Sequence, residues 1–224
     1  MKKIINIAID GPSGAGKSTL ARAVAKELGI TYIDTGALYR AIGLYMIRAG
    51  IEPGDSEKVI PALEGVKLAM SPGSELKVIL SGEDVTPYIR TDEVSRAASK
   101  VSAIPEVRTF LLSLQRDIAK VQSVVMDGRD IGTVILPDAD VKIFLTASAE
   151  KRAERRWKEL TERGEKVTYE EILASQKQRD ERDSTRKTAP AIPAADAVLF
   201  DNSELDAEET VRKAVEIIKA GLAE

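Results

Sequence analysis

The segment GPSGAGKS, from Gly11 to Ser18, matches G-x-x-x-x-G-K-[ST], which a chain of this length would contain by accident on the order of 1 time in 100. A loop of this kind aims backbone N–H groups at phosphate oxygens and is followed by a helix whose N-terminus attracts anions. Gly11, Gly14 and Gly16 let the backbone close around a β-phosphate, with Pro12, Ser13 and Ala15 completing the curve. Lys17 is placed to reach β and γ oxygens, and the hydroxyl of Ser18, next to Thr19, to ligate Mg²⁺. Asp127, ending the apolar run Val124 to Met126, is the candidate second acid of that magnesium shell, although a cap or turn acid would read the same way.

The types of residue that are missing narrow the chemistry further. There is no His and no Cys among 224 residues, which removes thiol nucleophiles, imidazole bases, Ser-His-Asp triads and Cys or His zinc sites. A switch GTPase needs an Asn-Lys-x-Asp guanine reader, yet only Asn6 and Asn202 are present and neither precedes Lys. Arginine, by contrast, recurs from Arg40 to Arg186, often beside Asp or Ser, and its planar fork binds phosphate through two hydrogen bonds. An alcohol acceptor would profit from a base, whereas a phosphate acceptor is already an anion and needs fixed positive charge against repulsion. A base-free, arginine-rich phosphate loop therefore points to transfer from one phosphate to another.

These groups need a scaffold. Ile4 to Asp10, Thr31 to Ile33, Val124 to Met126, Val141 to Leu145 and Ala197 to Phe200 are short apolar runs separated by helical patterns, which implies an α/β fold with a five-stranded parallel sheet flanked by helices. The helix after the loop places Leu20, Val24, Ala25 and Leu28 on one face and stops at Gly29. The last helix starts at Asp206, with Glu209 as its capping-box partner and Val211, Ala214, Val215 and Ile218 inward. Between about Glu57 and Val94, VKLAM, ELKVIL and EDV alternate around Ser71-Pro72-Gly73 and Ser81-Gly82, which predicts small antiparallel strands in an insertion. The charge-dense stretch 151–171, with Gly164 in its middle, reads as a solvated helix pair.

At 43% hydrophobic and 31% charged residues with net charge −3, the composition is that of a globular chain with a core. Lys2 and Lys3 precede an apolar run too short for a signal peptide, and no run is long enough to span a membrane, so a cytoplasmic protein without membrane contact is expected. With 4% aromatic residues and no basic excess there is no stacking face for nucleic acid, and a nucleotide-dependent regulatory or nucleic-acid-binding module is the weaker alternative.

DTGALYR (34–40), DGRDIGT (127–133) and RDERDSTR (179–186), in that order after GPSGAGKST, resemble the bacterial-type cytidylate kinases over almost the whole chain. The resemblance implies ATP-dependent phosphorylation of CMP and dCMP by a monomer, with Mg²⁺ as the cofactor. It implies that Arg40, Arg129 and Arg186 hold the CMP phosphate, that Ser99, Arg108 and Asp130 face cytosine, and that Arg179 and Asp183 reach the ribose, with Thr35 where many members carry Ser. Lys17, Arg129 and Arg186 would then act in the transfer itself. Segments 1–33, 97–150 and 172–224 would form the core, 34–96 the nucleoside monophosphate-binding insertion, and 151–171 a lid in which Arg152 or Arg156 reaches ATP. Kinases for UMP, dephospho-coenzyme A or shikimate are the neighbouring alternatives.

Overall fold

Burial on both faces is what a continuous apolar run of four to six residues requires, and a parallel sheet between helices supplies it. The computed structural model describes residues 3–71 and 77–223. Along the chain, β1 (Asn6–Asp10), α1 (Lys17–Leu28), β2 (Thr31–Asp34), α2 (Thr35–Arg48) and α3 (Ser56–Ala62) come first. There follow β3 (Leu68–Ser71), β4 (Lys77–Leu80), β5 (Glu83–Asp84), α4 (Asp92–Val101) and α5 (Pro105–Val121). The remainder is β6 (Val124–Gly128), β7 (Val141–Thr146), α6 (Ala149–Glu162), α7 (Tyr169–Thr185), β8 (Val198–Asp201) and α8 (Ala207–Gly221). The five expected strands form one parallel sheet in the order β2-β6-β1-β7-β8.

The chain divides into two compact units, Met1–Ile30 with Val124–Glu224, and Thr31–Ser123. In the first, β1 lies between β6 and β7, with Ile9 opposite both Asp127 and Ile143. Ile7, Ala8, Ile9, Val124, Val125 and Met126 are fully buried, as their unbroken apolar run demands. Gly29 ends α1 at φ 65°, the left-handed conformation for which glycine carries no steric cost. Helix α8 begins at Asp206, whose side chain accepts from the Glu209 N–H while Glu209 reaches back, as the sequence predicts. Helices α6 and α7 form a pair with a small core of their own, Ala153, Leu160 and Ile172.

In the second unit the alternating stretch becomes the antiparallel sheet β3-β4-β5. Ser81 and Gly82 join β4 to β5 with φ of 51° and 88°, as a two-residue hairpin turn requires. The turn expected at Ser71-Pro72-Gly73 and the start of ELKVIL extend into 72–76, outside the described residues. Two expectations change. The segment from Glu57 opens with α3 rather than with strands, because Val59 and Leu63, four apart, bury one helical face. Residues 97–123, placed with the core from sequence, belong to this unit, because α4 packs along α2 and their apolar faces share one core. Gly43 permits that crossing: a Cβ there would lie 2.9 Å from the Ala98 backbone nitrogen and 3.0 Å from the Ala97 Cβ.

Since backbone cannot give way as a flexible side chain can, the crossing should be intolerant of bulk. Gly43→Val is expected to destabilise the protein by about 1–3 kcal/mol, the range for overpacking. Denaturant titration with a midpoint unchanged from wild type would refute this account of the crossing.

Candidate phosphate-transfer site

The loop from Gly11 to Gly16 turns because its glycines adopt backbone conformations closed to other residues: φ is 145° at Gly11, 78° at Gly14 and 90° at Gly16. At Gly11 space decides as well, since a Cβ there would sit 1.9 Å from the Leu145 carbonyl oxygen on β7. Lys17, the first residue of α1, is buried and donates from Nζ to the Pro12 carbonyl at 2.7 Å. Burial, and then the guanidinium of Arg129, hold the Lys17 ammonium well below the usual lysine range, with Asp127 and Asp10 opposing that shift. The loop thus holds a desolvated cation whose charged form an anion would favour.

Ser18 Oγ donates to Asp127 Oδ2 at 2.8 Å, and Asp127 is buried at the end of β6. A hydroxyl and a carboxylate are hard oxygen donors, and they meet beside the phosphate loop. The described residues contain no group of three or more acidic side chains that could cage a metal. That combination fits Mg²⁺, which takes one or two protein oxygens and completes its shell with water and phosphate.

The loop is braced from α6 and from the turn after β8. Arg152 is buried and donates to the Ala147 carbonyl at 2.9 Å, to the Ser13 carbonyl at 2.9 Å and to Asp180 Oδ2 at 2.6 Å. Gln176 donates to the Arg152 carbonyl at 3.2 Å, and a Cβ on Gly14 would meet both side chains at 3.3 Å. Asn202 donates to the Ala15 carbonyl at 3.1 Å and is itself held by Arg155, which donates to its backbone oxygen at 2.8 Å. Sequence reasoning treats Arg152 as a residue that could reach ATP; the structure commits its guanidinium to the loop and Asp180. Arg156 pairs with Glu159 at 2.9 Å. Asn202 enters the sequence reading only as a residue not followed by Lys, since a carbonyl partner leaves no pattern in sequence.

In the same unit, several expected arginines stand against carboxylates. Arg129 Nε lies 3.2 Å from Asp183 Oδ2, with Arg179 at 3.8 Å and Arg182 at 3.7 Å from the same carboxylate. Arg186 is 3.8 Å from Asp130 Oδ1 and donates from Nε to the Ala189 carbonyl at 2.6 Å. The structure therefore gathers Arg129, Arg179 and Asp183 into one cluster and Asp130 with Arg186 into another. In the second unit Arg40 pairs with Asp34 at 2.7 Å, with Arg90 3.5 Å from the same oxygen. Thr35 is buried at the start of α2, and Ser99 is half-buried on α4. Arg108, buried on α5, donates to the Ser102 carbonyl at 3.1 Å with its guanidinium 5.4 Å from the Tyr39 ring centre.

A phosphate-binding loop between a buried parallel strand and a helix, with lysine, hydroxyl and acid at its mouth, defines a P-loop nucleotide-binding protein. Residues 7–220 match the cytidylate kinase family. The chain belongs to that family. It is 52% identical to the cytidylate kinase of Caldicellulosiruptor saccharolyticus, over 97% of this chain and 96% of that one, and 45% identical to that of Klebsiella pneumoniae, over 97% and 96%. Shikimate kinase from Bacteroides thetaiotaomicron shares the fold at a TM-score of 0.50 and 14% identity, covering 97% of this chain and 99% of that one. Among the described residues, no helix is long and apolar enough to cross a membrane.

One further acid stands out. Asp10 is buried, accepts from the N–H groups of Ile131 and Gly132, and is pushed up to about 6, because desolvation outweighs those two hydrogen bonds. A carboxyl raised in the folded state binds its proton more tightly there than in the unfolded chain, so its contribution to stability is full below pH 3.8 and is lost as pH rises through 6. The stability of Asp10→Asn relative to wild type should therefore improve by on the order of 1–2 kcal/mol between pH 5 and pH 7.5. Chemical denaturation of both proteins at the two pH values measures this; a pH-independent difference would contradict it.

Proposed function

We propose that the chain transfers the γ-phosphoryl group of ATP to the phosphate of CMP, and of dCMP, giving ADP and the nucleoside diphosphate. The observation that carries this reading is the pairing of a buried, desolvated Lys17 with arginines already held in place by carboxylates, in a chain that has no imidazole base. Both reacting groups are anions, so the dominant barrier is their repulsion, and preorganised cations in a site of low dielectric lower it without proton transfer.

In this reading the loop from Gly11 to Thr19 cradles the donor phosphates with the backbone N–H groups of Ser13 to Thr19, and Lys17 leaves the Pro12 carbonyl for β and γ oxygens, regaining in their charge what burial denies it. Ser18 and Asp127 would hold Mg²⁺, which when bound supplies neutralisation of charge on the β- and γ-phosphate oxygens. Arg129 and Arg186, with Arg40, take the CMP phosphate. Asp130 accepts from the cytosine N4 amine, while Ser99 and Arg108 donate to its O2 and N3, a division that follows from the donor and acceptor pattern of that base edge. Arg179 and Asp183 serve the ribose, and Thr35 stands beside them in role. Residues 34–96, within the second unit, act as the acceptor-binding segment. Residues 151–171, which span most of α6 and the first residues of α7, act as a lid, with Arg156 reaching the donor phosphates on closure and water kept from the γ-phosphate. The enzyme is a cytoplasmic monomer acting on small molecules.

An ADP-release assay over CMP, dCMP, UMP, dephospho-coenzyme A, shikimate and an oligonucleotide tests the reading. CMP should lead UMP by about 100-fold or more in kcat/KM, since a site built for one hydrogen-bonding edge leaves groups unpaired with another. Preference for an alcohol acceptor would overturn the proposal. Lys17→Ala should lower kcat by roughly 10²–10³-fold with the fold retained. Asp130→Ala should raise KM for CMP at least about tenfold and leave KM for ATP within about twofold; equal changes in both would remove Asp130 from the base.

A further inference from the structure

We propose that Asp10 is a positioning residue for the acceptor nucleotide, fixing Arg129 and Asp130 to the first residue of the phosphate loop. The inference rests on the functional reading above and adds to it a residue to which that reading gives no role.

The dipeptide Arg129-Asp130 is anchored at both ends to the same residue. On its N-terminal side, Gly128 is the last residue of β6 in register, and its partner across the ladder with β1 is Asp10. On its C-terminal side, Asp10 Oδ1 accepts from the Ile131 N–H at 2.8 Å and Oδ2 from the Gly132 N–H at 2.7 Å. Ile131–Ile135 forms a single turn of π-helix, closed by the Val134 and Ile135 N–H groups donating to the Asp130 carbonyl at 2.9 and 3.2 Å. The first N–H groups of any helical turn lack internal partners. A buried carboxylate that satisfies two of them fixes where the turn begins, and the residue immediately before that start is Asp130. Gly132 fits closely against Lys142 and Asp10, since a Cβ there would lie 3.1 Å from the Lys142 side chain and 3.4 Å from Asp10 Oδ2.

Asp10 is also the residue before Gly11, whose path is fixed by its closeness to the Leu145 carbonyl. One residue thus sets the start of the donor loop with its main chain and the acceptor-reading dipeptide with its side chain. Water does not compete for these bonds, because Asp10 is only 4% exposed.

Purified wild type, Asp10→Asn and Asp10→Ala decide the matter through KM and kcat for CMP and ATP, with calorimetric binding of each nucleotide alone. Asn keeps one acceptor and turns a donor towards the second N–H, so Asp10→Asn should raise KM for CMP about tenfold. Asp10→Ala, which loses both acceptors, should raise it further, with ATP affinity within about twofold in each variant. Equal losses for the two nucleotides, or a lowered Tm with unchanged KM for CMP, would overturn the role. If neither variant folds, hydrogen exchange on wild type without nucleotide replaces them: the Ile131 and Gly132 amides should exchange far more slowly than that of Arg129, and equal rates would overturn the clamp. A wild type that does not phosphorylate CMP would instead defeat the functional reading, before any variant is compared.

Discussion

Buried positive charge is the constraint around which this molecule is organised. An ammonium or guanidinium removed from water is costly unless an acceptor stands at hydrogen-bond distance. Lys17 rests on a carbonyl of its own loop, Arg152 on two carbonyls and a carboxylate, Arg129 on Asp183, and Arg186 on a carbonyl with Asp130 nearby. Lys17 and Arg152 are buried with these acceptors in place, while Arg129 and Arg186 are half-buried on theirs.

The parallel sheet explains why that is possible. Its central strand, β1, ends directly in the phosphate loop, and its neighbours β6 and β7 end beside it with Asp127 and Leu145. The side chains that must meet therefore come from strand ends whose relative positions are set by ladder hydrogen bonds, the stiffest part of such a fold. Helix α6 and the turn after β8 add lateral support through Arg152 and the Arg155–Asn202 pair.

Much of this was legible beforehand, and the limits have physical causes. The central strands β1, β6 and β7, buried on both faces, announce themselves as unbroken apolar runs, and the edge strands β2 and β8 carry short apolar runs although β8 is largely exposed, so all five could be placed within a residue or two. The glycine spacing of the phosphate loop is equally direct, because positive φ restricts the choice of residue. Helix α3 was hidden because Val59 and Leu63 present only one apolar stripe in a short stretch that ends near Pro61. The affiliation of α4 and α5 with the second unit depends on packing against α2, which no local pattern encodes. The bracing roles of Asp10, Arg152 and Asn202 all run through backbone N–H or carbonyl groups, which every residue possesses and which leave no compositional trace.

Asp34 shows a division of labour with a consequence for how the protein can move. Its Oδ1 accepts the Ala37 N–H and so caps α2, while its Oδ2 holds Arg40. The two oxygens act as separate latches on a single side chain. Drawing Arg40 away to another anion opens one latch and leaves the helix end closed, so exchange of ionic partners at this spot is insulated from unwinding, and a guanidinium can be recruited repeatedly without local melting.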